Sequence, residues 1–257
     1  MSSIYIDRKK FDIDLVVFDK DGLLFDSNCF WKELTIARLS ELKKYLSIEK
    51  LLRWLTIMGI SAIVKNSSEI LIKHIDPLGM TALATPDEES IITASFIYQN
   101  SDVEWLQARD IAFSAFLKAD QRIFLEKCLH PKKGFPEIFS KLKKSGILYG
   151  IATSDNLDRA KKSINIFDSA KNLSFIITPK DVKNGKPDPE MLFLASKKMN
   201  IDTSKIMMVG DSYVDMIMAR RAKTVGVGIT KSSIMKNKMK PYAEVVIDSL
   251  SDITIDM

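Results

Sequence analysis

Residues 13–18 read Ile, Asp, Leu, Val, Val, Phe, a short apolar run that stops at Asp19. Too brief for a helix and rich in aliphatic side chains, it reads as a strand buried on both faces. After Pro131 the same kind of run returns at intervals, with amphipathic stretches between. Strands are predicted at 147–152, 175–178, 206–209, 225–229 and 244–247, and helices at 135–144, 157–164, 190–199 and 214–222. Gly146 offers a natural stop for the first of these helices. Strands that alternate with helices need right-handed crossovers and give a parallel sheet covered on both faces. The chain should therefore be an α/β protein with a doubly wound, Rossmann-like core.

From residue 28 to 130 the pattern is helical instead. Trp31, Leu34, Ala37 beside Arg38, and Leu42 mark one apolar stripe; Val103, Leu106, Ile111 and Phe116 belong to another. No strand alternation stands out there. The expected organisation is a core made of 1–27 and 131–257, opened after its first strand to admit a helical domain at 28–130.

Composition removes several alternatives. With 46% apolar and 28% charged residues, the 257-residue chain resembles ordinary globular proteins. No stretch approaches the roughly 18 consecutive apolar residues of a membrane span. The first residues lack the charged-then-apolar order of a secretory signal, which points to a cytoplasmic protein without membrane partners. Cys29 and Cys128 are too few for a disulfide scaffold and read as buried thiols. They flank the insert, so they could lie near each other; a bridge would require their Cα atoms to be within about 7 Å. His74 and His130 have no partners at ligand spacing, which argues against zinc. The net charge of +5 is concentrated in residues 131–257, where 22 basic side chains face 14 acidic ones. These lysines are scattered and not interleaved with aromatics, which argues against nucleic acid. A mild positive field favouring an anionic substrate is the functional reading of that excess.

In open parallel sheets ligands bind beyond the carboxyl ends of the strands. Four clusters fall at such ends. In FDKDG, Asp19 and Asp21 follow the first strand, and Gly22 permits a tight turn; two carboxylates so close repel unless a cation or proton relieves them. Thr153 and Ser154 follow the strand ending at Ala152, placed to meet an anion or simply to cap the next helix. In GKPDPE, Lys186 stands on a loop, with Asp188 a plausible helix cap and Pro189 at the first helical position. In VGDSYVD, Asp211 follows a strand through Gly210, and Asp215 lies one helical turn on. Each cluster alone has an ordinary explanation in turns and helix caps.

Their order along the chain is far more specific. FDxDG, a strand-end Thr, GKPDP and VGDSxxD together resemble the haloacid dehalogenase-like hydrolase superfamily, over the whole chain. The insert looks like the helical cap of the subgroup containing phosphoglycolate phosphatases and β-phosphoglucomutase. That resemblance implies a phosphatase acting on a small phosphorylated metabolite, with Asp19 as nucleophile and Asp21 as general acid and base. It implies Mg²⁺ held by Asp19, Asp211 and the Asp21 carbonyl, with Asp215 in support. Thr153 and Lys186 would bind the phosphoryl group, helped by Lys20, Gly22 and Ser154. A sugar-phosphate mutase would share every core residue, and a non-catalytic phosphate-binding protein could retain the scaffold. Leu23 stands where many members have Thr, and Lys20 adds a positive charge beside the expected site.

Overall fold

The computed structural model describes residues 3–65, 69–168 and 170–256. It divides into two compact units, residues 1–26 with 130–257, and residues 27–129.

The first unit is built on a six-stranded sheet ordered Val245–Ile247, Val225–Ile229, Ile206–Gly210, Leu15–Phe18, Leu148–Ala152, Ile176–Ile177, with every pairing parallel. Leu15–Phe18 is buried at all four positions, as a strand covered on both sides must be. Its residues alternate between two packing layers. Leu15 and Val17 join Met191, Leu192 and Ala195 of the helix Glu190–Met199, and Met218, Ala219 and Ala222 of the helix Tyr213–Ala222. Phe18 turns the other way, onto Phe139 of the helix Glu137–Lys144, with ring centroids 5.3 Å apart. Phe135, Phe25 and Phe167 continue that aromatic layer at tilted and edge-on angles. The helix Leu157–Phe167 follows Leu148–Ala152.

Predicted and observed elements agree closely in this unit, with the helix 190–199 and the strand 225–229 matching residue for residue. A small antiparallel sheet and one short helix gave no predictive signal. The strands Ile4–Ile6 and Lys9–Phe11 pair antiparallel and are joined by Thr254–Ile255 from the far end of the chain. The helix Ser233–Met239, capped by Ser232, carries only Met235 and Met239 inward. Pro189 occupies the helix-capping position rather than the first helical one, and Asp188 accepts the amide of Glu190 at 3.1 Å.

The second unit corrects the expectation of an all-helical insert. Its helices Asn28–Leu42, Ile48–Ile57, Met80–Leu83, Pro86–Asn100, Trp105–Arg122 and Leu125–Cys128 are joined by a β-hairpin, Ile60–Lys65 against Glu69–Ile75. The strands of this hairpin are mostly exposed and lack a clean alternation, so the sequence carries no period-two signal there; β-branched Ile and Val favour the pleated conformation once a partner strand is at hand. Leu42, Leu51, Trp54, Ile97 and Ala112 centre this unit's own core. Leu106, assigned to an apolar stripe, is instead 62% exposed. Arg38 is buried in the same unit, bidentate to Glu89 at 2.9 and 3.0 Å, with its guanidinium 3.8 Å from the Phe116 ring centre. Cys29 and Cys128 are free thiols; burial and the neighbouring Cys29 push Cys128 up to about 11.

Candidate active site

The sheet order places Leu15–Phe18 between Ile206–Gly210 and Leu148–Ala152. Connections run outward to one side through the second and third core strands, and to the other through the fourth, fifth and sixth. The direction of winding reverses between Leu15–Phe18 and Ile206–Gly210, opening a crevice at their carboxyl ends. Asp19 and Asp211 emerge on either side of that crevice. The amide of Asp19 still donates to the Val209 carbonyl at 2.9 Å, so the sheet fixes the backbone up to the first acid.

Carboxylate oxygens of Asp19, Asp211 and Asp215 lie within 4.8 Å of one another. Gly22, at a φ of 81°, makes this packing possible, since a Cβ there would collide with the Asp211 carboxylate. Gly210 clears space for Asp215 in the same way. Asp215 is the third residue of its helix and completes a capping box with Ser212, accepting the Ser212 hydroxyl at 2.7 Å and its amide at 3.2 Å. Its other oxygen takes the Lys186 ammonium at 2.7 Å. Lys186 also reaches Asp19 Oδ1 at 2.7 Å, so one cation bridges two acids. The loop that presents it is pinned by Glu190, whose carboxylate accepts the amides of Lys183 and Asn184 at 2.9 and 2.8 Å.

The electrostatics follow from this crowding. Burial raises Asp19 to about 6 against the pull of Lys186, with Asp215 and Asp21 adding to the rise. Burial, Asp19 and Asp215 hold Asp211 well above the ordinary carboxylate range. Burial alone would lower Lys186, but Asp19 and Asp215 outweigh it and raise the ammonium above its ordinary range. Buried acids that resist ionisation together form a site that gains from a cation. The donors are all oxygens, which suits a hard divalent ion such as magnesium.

Thr153 directly follows the strand Leu148–Ala152, its amide on the Ile177 carbonyl at 3.0 Å. Its hydroxyl accepts the amide of Asp155 at 3.1 Å, which leaves its own proton free to donate. Neither Thr153 nor Ser154 caps the following helix; Asn156 does, accepting the Arg159 amide at 2.9 Å. Ser154 is half-buried on the same loop.

Lys20 departs from its expected place. The resemblance implies a phosphate contact for it, yet the side chain is 1% exposed and engaged with Asp21 Oδ1 at 2.6 Å and Asp155 Oδ2 at 3.0 Å. Asp155 in turn accepts Arg159 Nε at 2.7 Å, and Lys20 and Arg159 outweigh burial to lower it to about 2. Sequence patterning missed Asp155 and Arg159, although a buried lysine needs acidic partners and Asp155 stands two residues from Thr153. It also missed Lys132, whose ammonium donates to the Gly22 carbonyl and works against the upward shift of Asp211.

Fold and site together define a doubly wound α/β protein with an acidic, cation-seeking centre at its topological switch point. The chain belongs to the haloacid dehalogenase-like hydrolase family, whose model matches residues 13–223. The N-acetylmuramic acid 6-phosphate phosphatase of Pseudomonas putida is 33% identical over 111 residues, 42% of this chain and 48% of that protein. Pyrophosphatase PpaX of Bacillus velezensis is 32% identical over 118 residues, 46% and 55% of the two chains. This chain thus spans about half the length of those curated relatives. A crystal structure of a predicted phosphoglycolate phosphatase from Haemophilus somnus has the same fold, with a TM-score of 0.69, 18% identity, and 94% and 96% of the two chains covered. Among the described residues, no helix is long and apolar enough to cross a membrane.

Proposed function

We propose that the protein is a magnesium-dependent phosphatase of a small phosphorylated metabolite, acting through an aspartyl phosphate, an acyl phosphate formed on Asp19. The observation that carries this reading is the convergence of Asp19, Asp211 and Asp215 with Lys186 at the sheet's switch point. Named phosphatases among the relatives support it.

A carboxylate oxygen of Asp19 attacks phosphorus as the bond to the leaving oxygen breaks, and Asp21 gives that oxygen its proton. Water then attacks the aspartyl phosphate, Asp21 takes a proton from it, and the Asp19–phosphorus linkage breaks to release phosphate. Lys186 and the Thr153 hydroxyl hold the phosphoryl oxygens and spread their charge, which is most of what phosphoryl transfer asks of a protein. Asp19, Asp211 and the Asp21 carbonyl would hold the magnesium ion, supported by Asp215, and the ion supplies positive charge against those oxygens. Asp215 also keeps Lys186 in place and caps its own helix.

The test is phosphate release from a panel of phosphorylated metabolites and p-nitrophenyl phosphate, with Mg²⁺ and with chelator. Turnover should require the metal, and Asp19→Asn should lower it by at least about 10³-fold. Asp19→Asn turning over at the wild-type rate would sink the reading.

A further inference from the structure

A buried lysine is costly to desolvate unless acids surround it. Lys20 is among the largest fully buried side chains, and it directly follows the proposed nucleophile. Its ammonium lies between two carboxylates, Asp21 at 2.6 Å and Asp155 at 3.0 Å. Asp155 is itself buried and held from its other side by Arg159 Nε at 2.7 Å and the Asn156 amide at 2.7 Å. The amide of Asp155 rests on the Thr153 hydroxyl. Two cations and two anions thus alternate, Asp21, Lys20, Asp155, Arg159, from the end of the first core strand to the first turn of the helix after the second.

We infer that Lys20 is a positioning residue whose ammonium, anchored by Asp155 and Arg159, fixes the carboxylate of Asp21 for proton transfer to the leaving group. The inference rests on the phosphatase reading above. A lysine that bound substrate would present its ammonium to the crevice, whereas this one is enclosed and already met by two acids. Asp21 has two rotatable side-chain bonds and lies on a turn, so without a fixed partner its carboxylate would sample several directions. Proton transfer needs the acid within hydrogen-bond reach of the leaving oxygen, and displacement of about 1 Å is costly. Through Arg159 the network ties that turn to the first turn of the helix Leu157–Phe167, a rigid element.

The role has a signature that structural damage lacks. A nitrophenolate leaves with little help from an acid, while an alkoxide depends on one. Lys20→Met should therefore reduce kcat/KM roughly 10²-fold for the fastest alkyl monoester of the panel, but about tenfold or less for p-nitrophenyl phosphate. KM should stay within about twofold, Lys20→Arg should restore part of the loss, and Asp155→Asn should show the same substrate bias. If Lys20→Met does not fold, Arg159→Leu carries the same comparison. Equal losses on both substrates, or a raised KM with kcat intact, would overturn the role of Lys20 while leaving the phosphatase reading standing. A wild-type protein inert toward both substrates overturns that reading, and this inference with it.

Discussion

Asp155 shows how a single side chain is set by its neighbours. Burial works against its charge, but Lys20 and Arg159 prevail and lower it to about 2, below the ordinary 3.8. A carboxyl whose folded value is depressed stabilises the fold when ionised, so the contribution is complete above about pH 4. It is lost as pH falls from there through 2. The shift corresponds to roughly 2 kcal/mol. Wild type should therefore exceed Asp155→Asn in stability by about that amount at neutral pH, and the gap should narrow between pH 4 and 2 in urea melts followed by circular dichroism. A gap constant with pH would exclude the ion pair as its source. Asp19, Asp21, Lys186, Asp211 and Asp215 could be singled out along the chain because each follows or precedes a recognisable turn. Lys20 could be seen but not understood, since its partner Asp155 is distant in sequence and adjacent only once the first two core strands pair.

At the scale of elements, the helices Asn28–Leu42, Pro86–Asn100 and Trp105–Arg122 are joined through one buried charge pair. Arg38, Glu89 and Phe116 come one from each. Arg38 is only 2% exposed, so removing Glu89 takes away the carboxylate that offsets a buried charge. Glu89→Ala should cost about 3–5 kcal/mol in chemical denaturation, whereas the joint change of Arg38→Met with Glu89→Leu should recover most of that. Loss of less than about 1 kcal/mol in the single variant would show that the pair contributes little. The periodic stripe on Asn28–Leu42 was legible, including Arg38 within it, but periodicity gives no sign that a charge there is paired with a residue 51 positions away. The paired strands Ile60–Lys65 and Glu69–Ile75 were illegible for the opposite reason: mostly exposed, they lack the alternation that a core-facing sheet imposes.

At the scale of the whole molecule, the chain leaves its first unit after Asp26 and returns at His130. The helix Asn28–Leu42 packs against Leu125–Cys128, so the two ends of the second unit lie together, and that unit has its own apolar centre. Residues 27–129 expressed alone should fold, with a cooperative thermal transition and stability on the order of 5 kcal/mol. A gradual, uncooperative melt would show that the insert depends on the rest of the chain. Apolar runs, turn residues and helix stops are local quantities, and from them alone came the parallel α/β core, the place of the insert and the order of the acidic motifs. Which groups touch was settled by folding: strand order brought Asp19 to Asp211, the absent side chain of Gly22 let them close, and burial forced Lys20 onto Asp155. Local patterns record what each segment prefers, whereas charge pairing in a dry interior depends on distances that exist only after the sheet has formed.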